Sequence, residues 1–222
     1  MPADDTQKSI LDAAEELLAE LGFAAMSMRG LTTKAHVNLA AVHYHFGSKE
    51  DLVKAVMRRR VAPVNTERLQ RLDAIELAER ESGTSPDARA IIHAFLEPAL
   101  AIAKQEGGTR ACAMFGRLLA EVPPFLREWM VEQFGEIVDR FGRALHRAAP
   151  HVPEAEALWR LHFLVGSMTH TMLHGPMLAA VTDGRCDPSD HELLLERMVT
   201  FATAGVMTAA TNPTDDSREK RT

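Results

Sequence analysis

The sequence has almost no cysteine: Cys112 and Cys186 stand far apart and in no CxxC pair, so neither a disulfide framework nor a thiolate zinc site is indicated. Both read as ordinary thiols. It also has no stretch reaching the roughly 18 uninterrupted apolar residues of a membrane span, and the opening MPADDTQKS is polar and acidic, without the apolar core of a secretory signal. The expectation is a cytoplasmic protein with no membrane partner. Strand-type alternation of apolar and polar residues is scarce, whereas Ala, Leu, Glu, Arg and Met dominate. These are strong helix formers, and an all-α fold is predicted. With 222 residues, 46% of them hydrophobic, the chain can bury a full core as one large domain or as a small head on a larger body.

The formal net charge of -6 opposes nucleic acid at first sight, because phosphates repel a negative surface. Its distribution reverses that inference. Residues 23–60 carry seven basic side chains (Arg29, Lys34, Lys49, Lys54, Arg58, Arg59 and Arg60) against Glu50 and Asp51, while residues 61–222 carry 17 basic and 23 acidic ones. A basic head precedes an acidic body.

Along the chain, Asp5 or Thr6 can cap a first helix over 7–21 whose Ile10, Ala14, Leu17, Leu18 and Leu21 share one face, with Gly22 positioned to stop it. Ser27 caps a second helix through Ala35, with Leu31 facing inward. After a tight break at His36-Val37, Asn38 caps a very short third helix, Leu39 to His45. Ser48-Lys49-Glu50-Asp51 matches a capping pattern for a long fourth helix, which Pro63 can bend and which ends near Arg80, before the ESGTSP loop. Further helices are expected near 87–104, 110–121, 124–148, 154–181 and 188–209, followed by a polar tail over 211–222. The last two long helices are apolar around much of their circumference, which favours a homodimer seam between them.

The second helix, tight turn and short third helix form a helix-turn-helix, whose second element lies in the major groove of double-stranded DNA. The residues suit that task. Ala40 and Ala41 keep the third helix thin enough to approach base edges, and His43, Tyr44 and His45 supply hydrogen-bonding and stacking groups. Val37, Val42 and Phe46 would face the core of the head. Lys49, beside the free amides of the fourth helix, makes a natural phosphate clamp.

Residues 6–56 resemble the TetR family of regulators. The resemblance is carried by Gly22-Phe23, Ser27-Met28-Arg29 and Val42-His43-Tyr44-His45-Phe46-Gly47-Ser48-Lys49-Glu50. Two departures are His36, where the turn usually has glycine, and Gly30, which replaces an acidic or polar residue. The resemblance implies a repressor that binds a palindromic operator as a homodimer. It places Arg29, Leu39, Ala40, Ala41, His43, Tyr44, His45 and Lys49 at the DNA, with Ser27, Asn38 and Ser48 as helix caps whose first-turn amides lie near phosphates. On it, residues 1–52 are a DNA-binding head and 53–210 a ligand-binding and dimerisation body.

The C-terminal half resembles fatty-acid-responsive TetR regulators through Met114-Phe115-Gly116-Arg117-Leu118-Leu119, Phe125-Leu126-Arg127 to Phe134, and Ala149-Pro150 to Pro153 followed by Leu158-Trp159-Arg160 and His162-Phe163. That resemblance implies a small lipophilic effector, fatty acid or acyl-like, held between helices. Phe95, Met114, Phe115, Phe125, Trp129, Phe134 and Phe141 recur on helices that would surround a core, and Met suits a pocket that repacks. Met168 and His170 join Phe95, Met114, Phe115, Phe125, Trp129 and Phe134 as the expected lining, although aromatic and Met stripes at helical spacing equally describe plain core. His170 and His174, one turn apart, could pose as metal ligands, but no third ligand has recognisable spacing, so neither metal nor cofactor is expected. Arg117 and Arg160 could hold an acidic head group or form interhelical salt bridges. No enzymatic activity is expected; the competing reading is an all-α enzyme with a His-centred site around His162, His170 and His174, for which no set of nucleophile, base and orienting group is visible.

Overall fold

A computed structural model of the protein describes residues 3–120 and 122–210; the expected polar tail, 211–222, lies outside the described residues. Among these, the regular structure is helical throughout: α1 (Ala3–Ala25), α2 (Met28–Ala35), α3 (Leu39–Phe46), α4 (Lys49–Ser82), α5 (Ala88–Leu100) with a 3-10 turn at Ala101–Lys104, α6 (Gly108–Ala120), α7 (Pro124–Ala148), α8 (Glu154–Val181) and α9 (His191–Met207).

Local chemistry sets most of these boundaries. The Ser27 hydroxyl accepts from the Gly30 N–H, the Asn38 side chain from Ala41 and the Ser48 hydroxyl from Asp51, so α2, α3 and α4 all begin on side-chain caps. Gly83, in the left-handed region, closes α4 by donating its N–H to the Glu79 carbonyl. The first helix departs from expectation. Gly22 adopts φ 78 and ψ 176, a conformation open almost only to glycine, and one more turn follows that kink to Ala25. The expected helix over 87–104 also divides, with its last four residues tightening into the 3-10 turn. Pro63 does not interrupt α4, which spans 34 residues.

Two buried clusters organise the fold. One joins Ile10, Ala14 and Leu18 of α1 to Leu31, Val42, Leu52, Val53 and Val56, and draws in Met114 and Leu118 of α6 with Leu126 and Trp129 of α7. The other packs Leu72 of α4 and Ile91, Ile92, Phe95 and Leu96 of α5 against Phe141 and Leu145 of α7, Leu161, Leu164 and Met168 of α8 and Val199 of α9. Thus α4 contributes to both clusters, and α6 is inserted into the core of the N-terminal helices. Polar bonds reinforce the junction: Arg117 Nε donates to the Ala19 carbonyl at 2.8 Å, and the Arg60 guanidinium reaches both Glu15 and the Glu106 carbonyl.

Candidate DNA interface and the cavity behind it

The exposed face of α3 consists of Leu39, Ala40, His43 and Tyr44, spaced as one side of a helix. Val42 is buried, and Val37 and Phe46 pack against the same core, so the inward side is apolar as expected. Tyr44 is 84% exposed, with its ring edge-on to His45, 5.2 Å between centroids. Ala41 and His45 flank this face half-buried, and His43 Nδ1 lies 2.6 Å from the Gly47 carbonyl oxygen. Arg29, on the first turn of α2, is exposed beside the Ser27 cap.

The turn between α2 and α3 pivots on His36, which takes φ 55 and ψ 42. That is the left-handed conformation glycine normally supplies, and histidine is among the side chains that tolerate it best. The His36 N–H donates to the carbonyl of Thr33 and that of Val37 to Thr32, so the turn's amides are satisfied.

Lys49, expected as a phosphate clamp, already has a partner within the head. Its ammonium donates to the Phe23 carbonyl at 2.7 Å and sits 4.4 Å from the Phe23 ring centroid. An ammonium has three donors, so this bond closes the kinked end of α1 and leaves two for a phosphate. Ser48 also donates to the Asp51 carboxylate at 2.6 Å, and that hydrogen bond, with help from Lys54, holds the Asp51 carboxyl below its usual range.

Behind this head, α4, α5, α6, α7 and α8 enclose a cavity of about 730 Å³, within the range of small-molecule sites. Of the lining expected from sequence, Phe95, Phe115, Phe134 and Met168 border it and are brought together there. The other four are not among its lining residues. Met114 and Trp129 are spent in the core of the N-terminal helices, where α6 and α7 reach it, and Phe125 packs against Phe23 at 5.0 Å between centroids, the rings tilted by 49°. His170 is exposed and stacks on His174 at 4.5 Å. Among the described residues these two histidines have no third group with which to hold a metal. His162 does border the cavity, against Trp159 and Phe163, but two helical turns, about 12 Å of rise, separate it from His170.

Neither arginine considered for a head group faces the cavity. Arg117 is bonded to the Ala19 carbonyl, and Arg160 pairs with Glu156 and caps the end of α9 through the Val206 and Thr208 carbonyls. The buried polar residues that face it are Asn65 and Arg68, on the same side of α4 as Met57, Val61 and Val64, while Asp139, Arg143, Glu154 and His162 are exposed members of its lining. Sequence reasoning missed both. The signal was available as two polar residues interrupting an apolar stripe at helical spacing.

A helix-turn-helix with an outward second helix, carried on a helical body, defines the class of DNA-binding regulators. Residues 10–56 match the family described as bacterial regulatory proteins, tetR family, and residues 93–205 match tetracyclin repressor-like, C-terminal domain. The chain belongs to the TetR family. It is 43% identical over 54 residues to the HTH-type transcriptional repressor Rv3405c of Mycobacterium tuberculosis (strain ATCC 25618 / H37Rv) and, equally, to the HTH-type transcriptional regulator Mb3439c of Mycobacterium bovis. That match spans 24% of this chain and 29% of the length of those relatives. Similar solved structures include the fatty acid degradation regulator FadR from Bacillus halodurans (TM-score 0.62, 13% identity, 90% of this chain and 95% of that one). A transcriptional regulator from Saccharomonospora viridis in complex with choline aligns with TM-score 0.57 and 16% identity, over 91% and 96% of the two chains. Both share the fold.

Proposed function

We propose that this protein is a homodimeric transcriptional repressor that grips a palindromic operator through α2 and α3 and is released by a small lipophilic molecule in the cavity. Residues 1–52 act as the head and 53–210 as the body. One observation carries this reading: α4 starts at the DNA-facing cap Ser48-Lys49 and, farther along, presents Met57, Val61, Val64, Asn65 and Arg68 to the cavity. A rigid helix with its start at one site and its middle at the other couples them. A ligand that fits better when α4 is displaced would shift the heads off their groove spacing, and its preference for that state is the whole driving force.

The DNA-contacting set comprises Arg29, Leu39, Ala40, Ala41, His43, Tyr44, His45 and Lys49, with the helix starts at Ser27, Asn38 and Ser48 directing amides to phosphates. The effector contacts are Phe95, Phe115, Phe134 and Met168, with the apolar wall of α4. The choline complex of the Saccharomonospora viridis relative and the fatty-acid role of the Bacillus halodurans one support a small-molecule signal on this fold. The test is selection of a duplex from a random library followed by mobility-shift titration. A two-fold symmetric site should emerge, and Tyr44→Ala should weaken binding to it; a failure to select any preferred sequence would overturn the proposal.

A further inference from the structure

The chemical class of the effector rests on this cavity being its site, as proposed. Arg68 borders that cavity and is only 3% exposed. Its guanidinium lies over the Phe95 ring, 4.0 Å from the centroid. Nε donates to the Phe95 carbonyl at 2.8 Å, Nη1 reaches Asn65 Oδ1 at 3.4 Å, and Nη2 reaches the Met168 sulfur at 3.7 Å. Every one of these partners is neutral. Among the described residues no carboxylate offsets the charge, whereas Arg59 and Arg60 share Glu15, Arg71 pairs with Glu97, Arg140 with Glu76 and Arg160 with Glu156.

A buried cation without a counter-ion is strongly unfavourable, and a neutral donor such as glutamine could serve the Phe95 carbonyl without that penalty. Burial draws the Arg68 pKa down to about 10, so the group keeps its proton at neutral pH. A guanidinium carries five N–H donors in a planar fork, and the contacts above occupy three. The cavity is buried where α4 and α5 meet, at Arg68, Phe95 and Ala99, and exposed at Val131 and Val138 of α7 and Leu158 of α8. Its opening therefore lies between α7 and α8, with the unpaired charge at the far wall.

We propose that the cavity accepts an amphipathic anion, its acid group paired with the free N–H fork of Arg68 and its apolar tail lying along Val61, Val64, Phe134, Ile137 and Leu161 toward the opening. The effector is thereby a free acid, distinct from a neutral ester or alcohol and from a cation of the same shape.

Calorimetric titration of the full-length protein with decanoate, decan-1-ol and decyltrimethylammonium, each below its micellar concentration, tests this. Decanoate should bind at least about tenfold more tightly than the alcohol, the yield of one charge-assisted hydrogen bond, and the cation most weakly. Arg68→Met should erase that preference while retaining decanol binding, and Arg68→Lys should keep part of it. The comparison of the three probes on the native protein stands even where a variant folds poorly. Equal affinity for acid and alcohol, or a preference surviving in Arg68→Met, overturns the anion assignment and leaves the cavity as an effector site. Binding of none of the three overturns the effector reading itself.

Discussion

Tyr44 projects from α3 with 84% of its surface in solvent, and nothing in the fold requires it there. Exposed side chains contribute little to stability, so Tyr44→Ala and Arg29→Ala should each leave melting within about 0.5 kcal/mol of the native value. On a selected operator in a mobility-shift titration, each should cost about 1–3 kcal/mol of binding. The opposite pattern belongs to Glu15, whose side chain is 2% exposed and is held by Arg59 and Arg60 at 2.7 Å. Burial pushes its carboxyl up, but the hydrogen bonds and charges of Arg60 and Arg59 outweigh that and hold it below its ordinary 4.5. A carboxyl whose folded pKa is lowered stabilises fully above the unfolded value, and that share is lost as pH falls from there through the folded value. Thermal melts should therefore show Glu15→Gln destabilised by about 1.5–3 kcal/mol at neutral pH, the range for hydrogen bonds to a charged group, with the deficit shrinking in acid below pH 4.5.

Among the elements, the α2–α3 turn holds the tightest conformational demand. His36 at φ 55 bears a left-handed cost of roughly 1 kcal/mol that glycine would relieve, while glycine would cost about as much in unfolded-chain entropy. His36→Gly should thus stay within about 0.5 kcal/mol of the native stability in denaturant titration. His36→Val, β-branched in a region such side chains avoid, should lose about 1–2 kcal/mol and loosen operator binding by misdirecting α3. The helix starts were legible because Ser27, Asn38 and Ser48 announce themselves through short-range chemistry. The kink after Leu21 was not: Gly22 reads as a stop signal, and only the packing of Phe23 on Phe125 and under Lys49 accounts for the extra turn.

At the scale of the molecule, α8 and α9 leave large apolar side chains uncovered. Trp159, Phe163, Met177, Val181 and Phe201 are all exposed, Phe201 by 75%, and an apolar expanse of that kind marks a protein interface. It is the seam proposed for the homodimer. Phe201→Asp or Val181→Asp should shift sedimentation toward the monomer and, because a lone head contacts few bases, reduce operator affinity by roughly 100-fold or more. Tyr44→Ala should leave sedimentation unchanged, which separates assembly from contact.

Helix identity, capping and the outward residues of α3 follow from neighbours within about four positions, and such information is written along the chain. Cavity membership does not, because Met114, Phe115, Trp129 and Phe134 are all apolar residues on amphipathic helices and their periodicity is the same. Their fates diverge because α6 and the start of α7 lean into the N-terminal core, taking Met114 and Trp129 there, while Phe115 and Phe134 also border the cavity. Arg68 makes the same point more sharply: in sequence it is one of many arginines on a charged helix, and its burial without an acid arises from the convergence of α4, α5 and α8 around it.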